Sequence, residues 1–159
     1  MPILTNSGRV VIAESIALRP LHLAWGTADG AWTSPPTESA GATSLLAEIG
    51  RRASSEVTYV TPDTGGDVIL PTGTYSRSSI PTNHLLAVFN FDFGDSSSSE
   101  IREIGIFAGS VAVSGLPSGQ KYFSPAQIAT TGRLLHLENI TPIFRSPAVR
   151  ENFEIVITF

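Results

Sequence analysis

The chain has 159 residues, of which 42% are hydrophobic and only 15% are charged, and its net charge is −4. This length fits one domain, residues 1–159, with a sizeable core. The single lysine and the missing basic stripe argue against nucleic-acid binding. Without cysteine the chain forms no disulfide or cysteine-ligated metal site, and no apolar run is long enough to span a bilayer. The N-terminal residues do not resemble a signal peptide, so we expect assembly in the cytoplasm.

The first third of the chain contains one ambiguous segment, one strand, one loop and one predicted helix. Residues 9–18 are apolar enough for either a strand or a short helix, and their periodicity does not decide between the two. Pro20 ends that segment, and residues 21–26 then alternate as in a strand. After a predicted loop at 26–41, residues 43–50 predict a two-turn helix, because Thr43 can cap it and three apolar side chains share one face.

From Val57 onward the pattern indicates β structure. Short runs rich in β-branched and aromatic residues are separated by glycine and proline turns, at 57–61, 68–71, 85–93, 100–107 and 153–159. The polar turn at 94–99 favours an antiparallel hairpin between 85–93 and 100–107. The predicted fold is therefore mainly β, an antiparallel β-sandwich or barrel-like domain with one short helix.

Residues 99–108 look like the central strand of this fold, because they combine isoleucine and phenylalanine with a charged pair. Arg102 would lie at the rim of the core, where an unpaired charge is too costly. The same Glu-Ile-Gly pattern occurs upstream, beside two arginines. We therefore predict structural ion pairs that join Arg102 to Glu48 and Glu103 to Arg51 or Arg52. The alternative is an ordinary core strand with solvated charges.

No set of residues in the sequence has the spacing of a catalytic or metal site. His22, His84 and His136 are scattered singly, without the spacing of a metal-binding motif. The acidic residues of the turn at 92–100 do not match a calcium loop and are predicted to be a solvated hairpin tip. Nucleophile elbows and phosphate-binding glycine loops are missing as well. We expect no enzyme, no cofactor and no metal.

Several segments together resemble the N-terminal tail-collar fibre domain of tailed bacteriophages. They are the loop 25–30 with the later Pro35-Pro36, the Thr-x-Leu-x-x-Glu-x-x-Arg-like segment 43–52, and Ile-Arg-Glu-x-Gly-x-Phe at 101–107. Ala28 departs from the pattern, because that family usually has glycine there. No long fibre shaft follows residue 107, so the resemblance implies a compact, stand-alone relative.

The resemblance implies a structural subunit of a contractile-tailed phage particle, at the tail neck or collar. It would form a symmetric homo-oligomeric ring that contacts connector or tail proteins, with no nucleic-acid or membrane partner. Trp25, Trp32 and Phe159 are candidate interface residues, the last because the final strand runs to the chain end. One alternative is a baseplate or tail-fibre attachment protein. Another is a receptor- or glycan-binding β-sandwich in which Trp25, Trp32 and Tyr75 form an aromatic platform; a small hydrolase is a third.

Overall fold

The computed structural model describes residues 1–96 and 98–159 and is mainly β, with 46% strand and 9% helix. Its paired strands are antiparallel and the described residues contain one α-helix, so the predicted fold class is confirmed. In those same residues, no helix combines the length and apolarity needed to cross a membrane. In chain order the elements are α1 (Asn6–Ala17), β1 (Leu21–Gly26), β2 (Glu48–Ala53), β3 (Glu56–Pro62), β4 (Val68–Leu70), β5 (Gly73–Ser78), β6 (His84–Phe91), β7 (Glu100–Ala108), β8 (Val111–Ala112), β9 (Tyr122–Phe123), a 3₁₀ turn (Pro125–Gln127), β10 (Ile128–Thr130), β11 (Arg133–Phe144) and β12 (Glu151–Thr158).

The chain divides into two compact units. Unit 1 comprises Met1–Arg19, Ser54–Phe89 and Phe153–Phe159, and unit 2 comprises Pro20–Ala53 and Asn90–Asn152. Each unit therefore combines segments that are distant in sequence. The expectation of a single domain over 1–159 stays a prediction.

Unit 1 contains α1 and most of a five-stranded sheet with the order β12-β6-β3-β5-β4. The hydroxyl of Thr5 caps α1 by accepting a hydrogen bond from the backbone N–H of Gly8 at 3.1 Å, which resolves the ambiguity at 9–18 in favour of a helix. Ala13 is the buried residue of this helix. The core of the sheet is made of aliphatic and aromatic side chains, namely Val60, Val68, Tyr75, Leu86 and Val88.

Unit 2 contains a five-stranded sheet with the order β11-β7-β1-β2-β9 and a small β8–β10 pair. The strand β1 lies at the centre of the larger sheet, so Ala24 stands opposite Gly105 of β7 on one side and Arg51 of β2 on the other. Ala24 also packs with Leu45 and Phe107 in a buried cluster. This arrangement makes β7, the strand predicted to be central, an inner strand between β1 and β11.

The helix predicted at 43–50 is wrong. Residues 43–47 are irregular and Glu48 begins β2. The backbone N–H groups of Leu46 and Ala47 donate to the carboxylate of Glu103, and the carbonyl of Ala47 accepts the N–H of Thr27. Because these partners come from distant parts of the chain, they satisfy the backbone without the local bonds of a helix.

The hairpin predicted between 85–93 and 100–107 is also wrong, although both strands exist. The strand β6 pairs with β3 and lies in the sheet that also contains β12, whereas β7 pairs with β1 and β11 in the other sheet. A turn of suitable length permits a hairpin, but both strands are largely buried and pair with strands from elsewhere in the chain.

Candidate functional site

A buried arginine, Arg51, organises the middle of unit 2. Its side chain is 1% exposed and makes a two-pronged ion pair with Glu48, at 2.8 Å from Nε and 2.7 Å from Nη2. The Nη1 atom donates to the hydroxyl of Ser110 and to the carbonyl of Thr131, both at 2.8 Å. The guanidinium also stacks 4.2 Å above the ring of Phe107. A buried charge with all these partners fixes the turn that contains residue 131 against the sheet.

Glu103 is equally buried, at 1% exposure, and is held by backbone groups. Its two carboxylate oxygens accept the N–H groups of Leu46 at 2.9 Å and Ala47 at 2.8 Å. Gly26 makes room for this contact, because a Cβ there would lie 2.6 Å from the carbonyl oxygen of Ala47 and would overlap the carboxylate. Glu103 therefore anchors the end of the long segment between β1 and β2, and the predicted pairing with Arg51 or Arg52 is wrong.

Arg102 points to the other end of the same segment. It pairs with Glu100 at 2.6 Å and donates to the backbone carbonyl of Trp32 at 3.1 Å. The predicted partner, Glu48, is already engaged by Arg51. Along one strand, Arg102 and Glu100 lie two residues apart on the same face, which is the physical reason for their pairing.

The acidic turn between β6 and β7 is not a solvated tip. Asp95 is only 8% exposed and its carboxylate accepts from Arg52 at 2.6 Å. Asp92 pairs with Arg150 at 2.9 Å, and Glu100 is held as described above. Each carboxylate thus faces its own arginine, and the pairs of Asp95 and Asp92 join the turn to segments that are distant in sequence.

Trp25 is fully buried and belongs to the core of unit 2. Its indole ring stacks on Phe91 with 3.6 Å between ring centroids, and its Nε1 donates to the hydroxyl of Tyr122 at 3.2 Å. On the indole ring lies the guanidinium of Arg145, 5.1 Å from the centroid. The prediction that Trp25 contacts a partner protein is therefore wrong for this conformation, because its side chain has no free surface.

Arg145 was not singled out in the sequence and proves to be a second organising arginine. Its side chain is fully buried and donates to the carbonyls of Val149 at 3.0 Å and Asp92 at 2.9 Å. It also lies 3.4 Å from the carbonyl of Asp95 and 3.5 Å from the carboxylate of Glu151. The only sequence signal was its place between Pro142 and Pro147, in a segment without periodicity.

The other aromatic candidates differ in their surroundings. Trp32 is half-buried, and its carbonyl accepts a hydrogen bond from Arg102. Phe159 is also half-buried. Its backbone N–H donates to the carbonyl of Asn83 at 3.0 Å, and its carbonyl accepts from Asn83 Nδ2 at 3.2 Å. Their role as interface residues stays a prediction. Tyr75 is only 9% exposed and belongs to the core of unit 1. With Trp25 and Tyr75 buried, the predicted aromatic platform for glycans is wrong.

His22 is buried beside Arg51 and is unusual. It is 6% exposed, packs edge-on against Phe123, and its Nδ1 has no hydrogen-bond partner within the described chain. Burial, together with the neighbouring charges of Arg51 and Lys121, lowers the pKa of His22 from 6.5 to about 4. The imidazole is therefore neutral at pH 7.

The remaining histidines lie at the surface of their own units. The Nδ1 of His84 lies 2.8 Å from the hydroxyl of Thr158, and partial burial lowers the pKa of His84. The Nε2 of His136 lies 3.9 Å from a carboxylate oxygen of Glu138. Over residues 1–96 and 98–159, histidine and acidic side chains do not gather into a metal-binding group of three. The absence of a metal or cofactor stays a prediction.

Comparison with known families identifies the group to which the chain belongs. The family model described as baseplate wedge 3 tail fiber network component matches residues 1–159. The chain belongs to this family. No curated protein matches the chain significantly.

This family is a bacteriophage baseplate family, so the prediction of a phage tail-related structural protein is confirmed at that level. Family membership also makes the chain a virion component with other tail and baseplate proteins as partners. The match does not extend to the tail-collar fibre family, on which the sequence resemblance was based.

Proposed function

We propose that the chain is a non-enzymatic structural subunit of the baseplate wedge of a contractile-tailed phage, and that it connects the wedge to the tail-fibre network. The family match over residues 1–159 carries this proposal. In this view the subunit is assembled in the host cytoplasm and is present as symmetric copies around the tail. The baseplate interpretation, an alternative at the level of sequence, replaces the neck or collar position.

The ion pairs of unit 2 support a structural role. Asp95 pairs with Arg52 and Asp92 pairs with Arg150, so these two carboxylates join segments that are distant in sequence, whereas Glu48 and Glu100 pair with arginines of their own strands. Arginine suits this use, because its planar guanidinium makes several directed hydrogen bonds at once. Such a network keeps the surface loops in one arrangement, which repeated contacts in an assembly require.

The outer surface of α1 supports a role in assembly as well. Val11 is 60% exposed and Leu18 is 88% exposed, seven residues further on. Since positions seven apart share one face of a helix, these side chains form an apolar stripe that is available for contact with another protein.

Electron cryo-microscopy of intact particles tests the proposal. We expect density for this chain at the distal end of the tail, in several symmetry-related copies within the baseplate. Density between capsid and tail would instead restore the collar position. Absence of the chain from purified particles, checked by mass spectrometry, would overturn the structural role itself.

A further inference from the structure

The outer edge of β11 is covered by a loop at Asn139. This strand is the last in its sheet and pairs with β7 on its inner side. On its outer side, the backbone N–H of Asn139 donates to Glu38 Oε1 and its side-chain Nδ2 donates to the carbonyl of Pro36, both at 2.9 Å. The carboxylate of Glu38 thus occupies the place that a carbonyl of an added strand would take.

Next to this contact, the edge borders a groove. The groove has a volume of about 360 Å³ and lies between the loop residues 38–42 and strand residues 134–137. Opposed residues of an antiparallel pair alternate between pointing their backbone groups toward and away from the partner strand. Because Asn139 points away from β7, Leu137, two residues earlier and opposite Gly105, also presents its N–H and C=O to the groove.

The strand that borders the groove contains a β-bulge. The register between β11 and β7 shifts between Leu134 and His136, so Leu135 is an extra residue in the strand. An extra residue of this kind lacks a position in the ladder and leaves its backbone groups unpaired by the partner strand. The stretch 134–137 would be about 13 Å long in strand geometry, which is enough for an extended segment of about four residues.

The charge at the end of the groove indicates what kind of segment fits. The exposed Glu38 and His136 line the groove, and a carboxylate oxygen of Glu138 lies 3.9 Å from His136 Nε2, next to the groove. The hydrogen bond from the Asn139 backbone lowers the pKa of Glu38, and His136 lowers it further, so Glu38 is charged at pH 7. This end of the groove is therefore acidic and favours a basic side chain.

A second copy of this chain is a poor candidate for the occupant, because most of its basic residues are already engaged within its own fold. Six of the nine arginines are already ion-paired within their own units, namely Arg51, Arg52, Arg77, Arg102, Arg145 and Arg150. The remaining basic residues are Arg9 within α1, Arg133 at the start of β11 itself, Arg19 and Lys121. The backbone N–H of Arg19 donates to the carbonyl of Ile16, and the carbonyl of Lys121 accepts the N–H of Ala53, so both residues are part of backbone bonding within the chain's own fold. The charge pattern therefore points to a different protein as the occupant.

We propose that the edge of β11 at 134–137 is a strand-addition site, which receives an extended segment of another baseplate protein with an arginine or lysine against Glu38 and Glu138. This inference rests on the proposed function. Backbone hydrogen bonds to Leu137 provide the affinity, and the acidic end sets the register. The contact of Glu38 with Asn139 stops the added strand at one end.

The variants Leu137→Pro and Leu137→Ala test this site in particles. Both remove the leucine side chain from the core, but only proline removes the backbone donor that faces the groove. We expect particles to incorporate the alanine variant at the wild-type level, and the proline variant at a tenth of that level or less, measured by quantitative mass spectrometry. Equal incorporation of the two variants would overturn the strand-addition site. Absence of the wild-type chain from particles would overturn the proposed function instead.

Thermal melting of the isolated variants shows whether the proline variant folds. A second measurement does not depend on this outcome, since the chain has no cysteine of its own. Leu135→Cys, carrying a benzophenone label, is expected to cross-link in particles to one peptide of a different baseplate protein, next to a basic residue. The matched control, Thr141→Cys on the same strand, should not label that peptide. A cross-link from residue 135 only to a second copy, or none at all, would overturn the inference.

Discussion

The buried imidazole of His22 makes unit 2 sensitive to acid. We expect His22→Gln to remove this sensitivity, because glutamine is neutral at every pH and is similar in size. The histidine pKa is about 4 in the folded chain and 6.5 when exposed, so the unfolded chain binds the proton more tightly. Folding stability therefore falls as the pH falls from 6.5 toward 4, and the loss is complete below pH 4.

The size of the effect follows from the same two pKa values. A difference of one pKa unit corresponds to about 1.36 kcal/mol. Complete protonation of a histidine whose pKa is shifted from 6.5 to about 4 therefore lowers the free energy of unfolding by about 3 kcal/mol. About 2 kcal/mol of this is lost between pH 7 and pH 4.5. The comparison stops at pH 4.5, because hydrogen bonds lower the pKa values of Glu38, Asp63 and Asp92, so these carboxylates lose their charge at a lower pH than unperturbed ones.

Urea denaturation followed by tryptophan fluorescence measures this directly. Both tryptophans, Trp25 and Trp32, lie in unit 2 together with His22, so the signal reports on that unit. The free energy of unfolding of the wild type should fall by about 2 kcal/mol more than that of His22→Gln between pH 7 and pH 4.5. Parallel pH profiles for the two proteins would refute the reasoning, since they would show that His22 is not held neutral by its burial.

Three further substitutions test the backbone and the arginines. Ala28→Gly should raise the free energy of unfolding by about 0.5–1 kcal/mol, because Ala28 has φ +50° and glycine adopts this conformation without strain; a loss of stability in urea would contradict this. Arg145→Lys should cost about 2–4 kcal/mol, because lysine cannot reach several carbonyls at once, and an unchanged melting temperature would exclude that role. Arg102→Glu places a second carboxylate beside Glu100 and should lower stability by about 2 kcal/mol. The circular dichroism spectrum of this variant should stay that of a folded β protein. The spectrum of an unfolded chain would contradict this estimate and show that folding depends on Arg102.

The positions of most strands follow from the sequence, because alternation and turn residues are local signals. The strand predicted at 21–26 has the same bounds as β1, and the strands predicted at 57–61, 85–93 and 100–107 correspond to β3, β6 and β7. Which strands become neighbours is a different matter. The separation of β6 from β7 into two sheets depends on pairings with β3 and β1, whose sequences carry no mark of their partners.

Four of the five charged residues of the predicted site, Glu48, Arg51, Arg52 and Arg102, make ion pairs, but not with the predicted partners. Glu48, Arg51 and Arg52 all make ion pairs, yet Arg52 pairs with Asp95, which lies 43 residues away in a turn predicted to be solvated. Sequence pattern identifies a charge that needs a partner, because burial without one is costly. It does not identify the partner, since that depends on which segments the tertiary structure brings together.

The two segments that carry the strongest sequence signal prove to be the two sides of one contact. Residues 43–52 and 101–107 meet where Glu103 accepts the N–H groups of Leu46 and Ala47. Next to this contact a Cβ on Gly105 would lie 3.0 Å from Leu45 Cδ2, so glycine leaves room for the buried leucine. The pattern that looked like a helix facing a strand is therefore an irregular segment fixed to that strand through its backbone. An acidic residue and a glycine two positions apart on β7 make this attachment, the first by accepting the backbone N–H groups and the second by leaving room for Leu45.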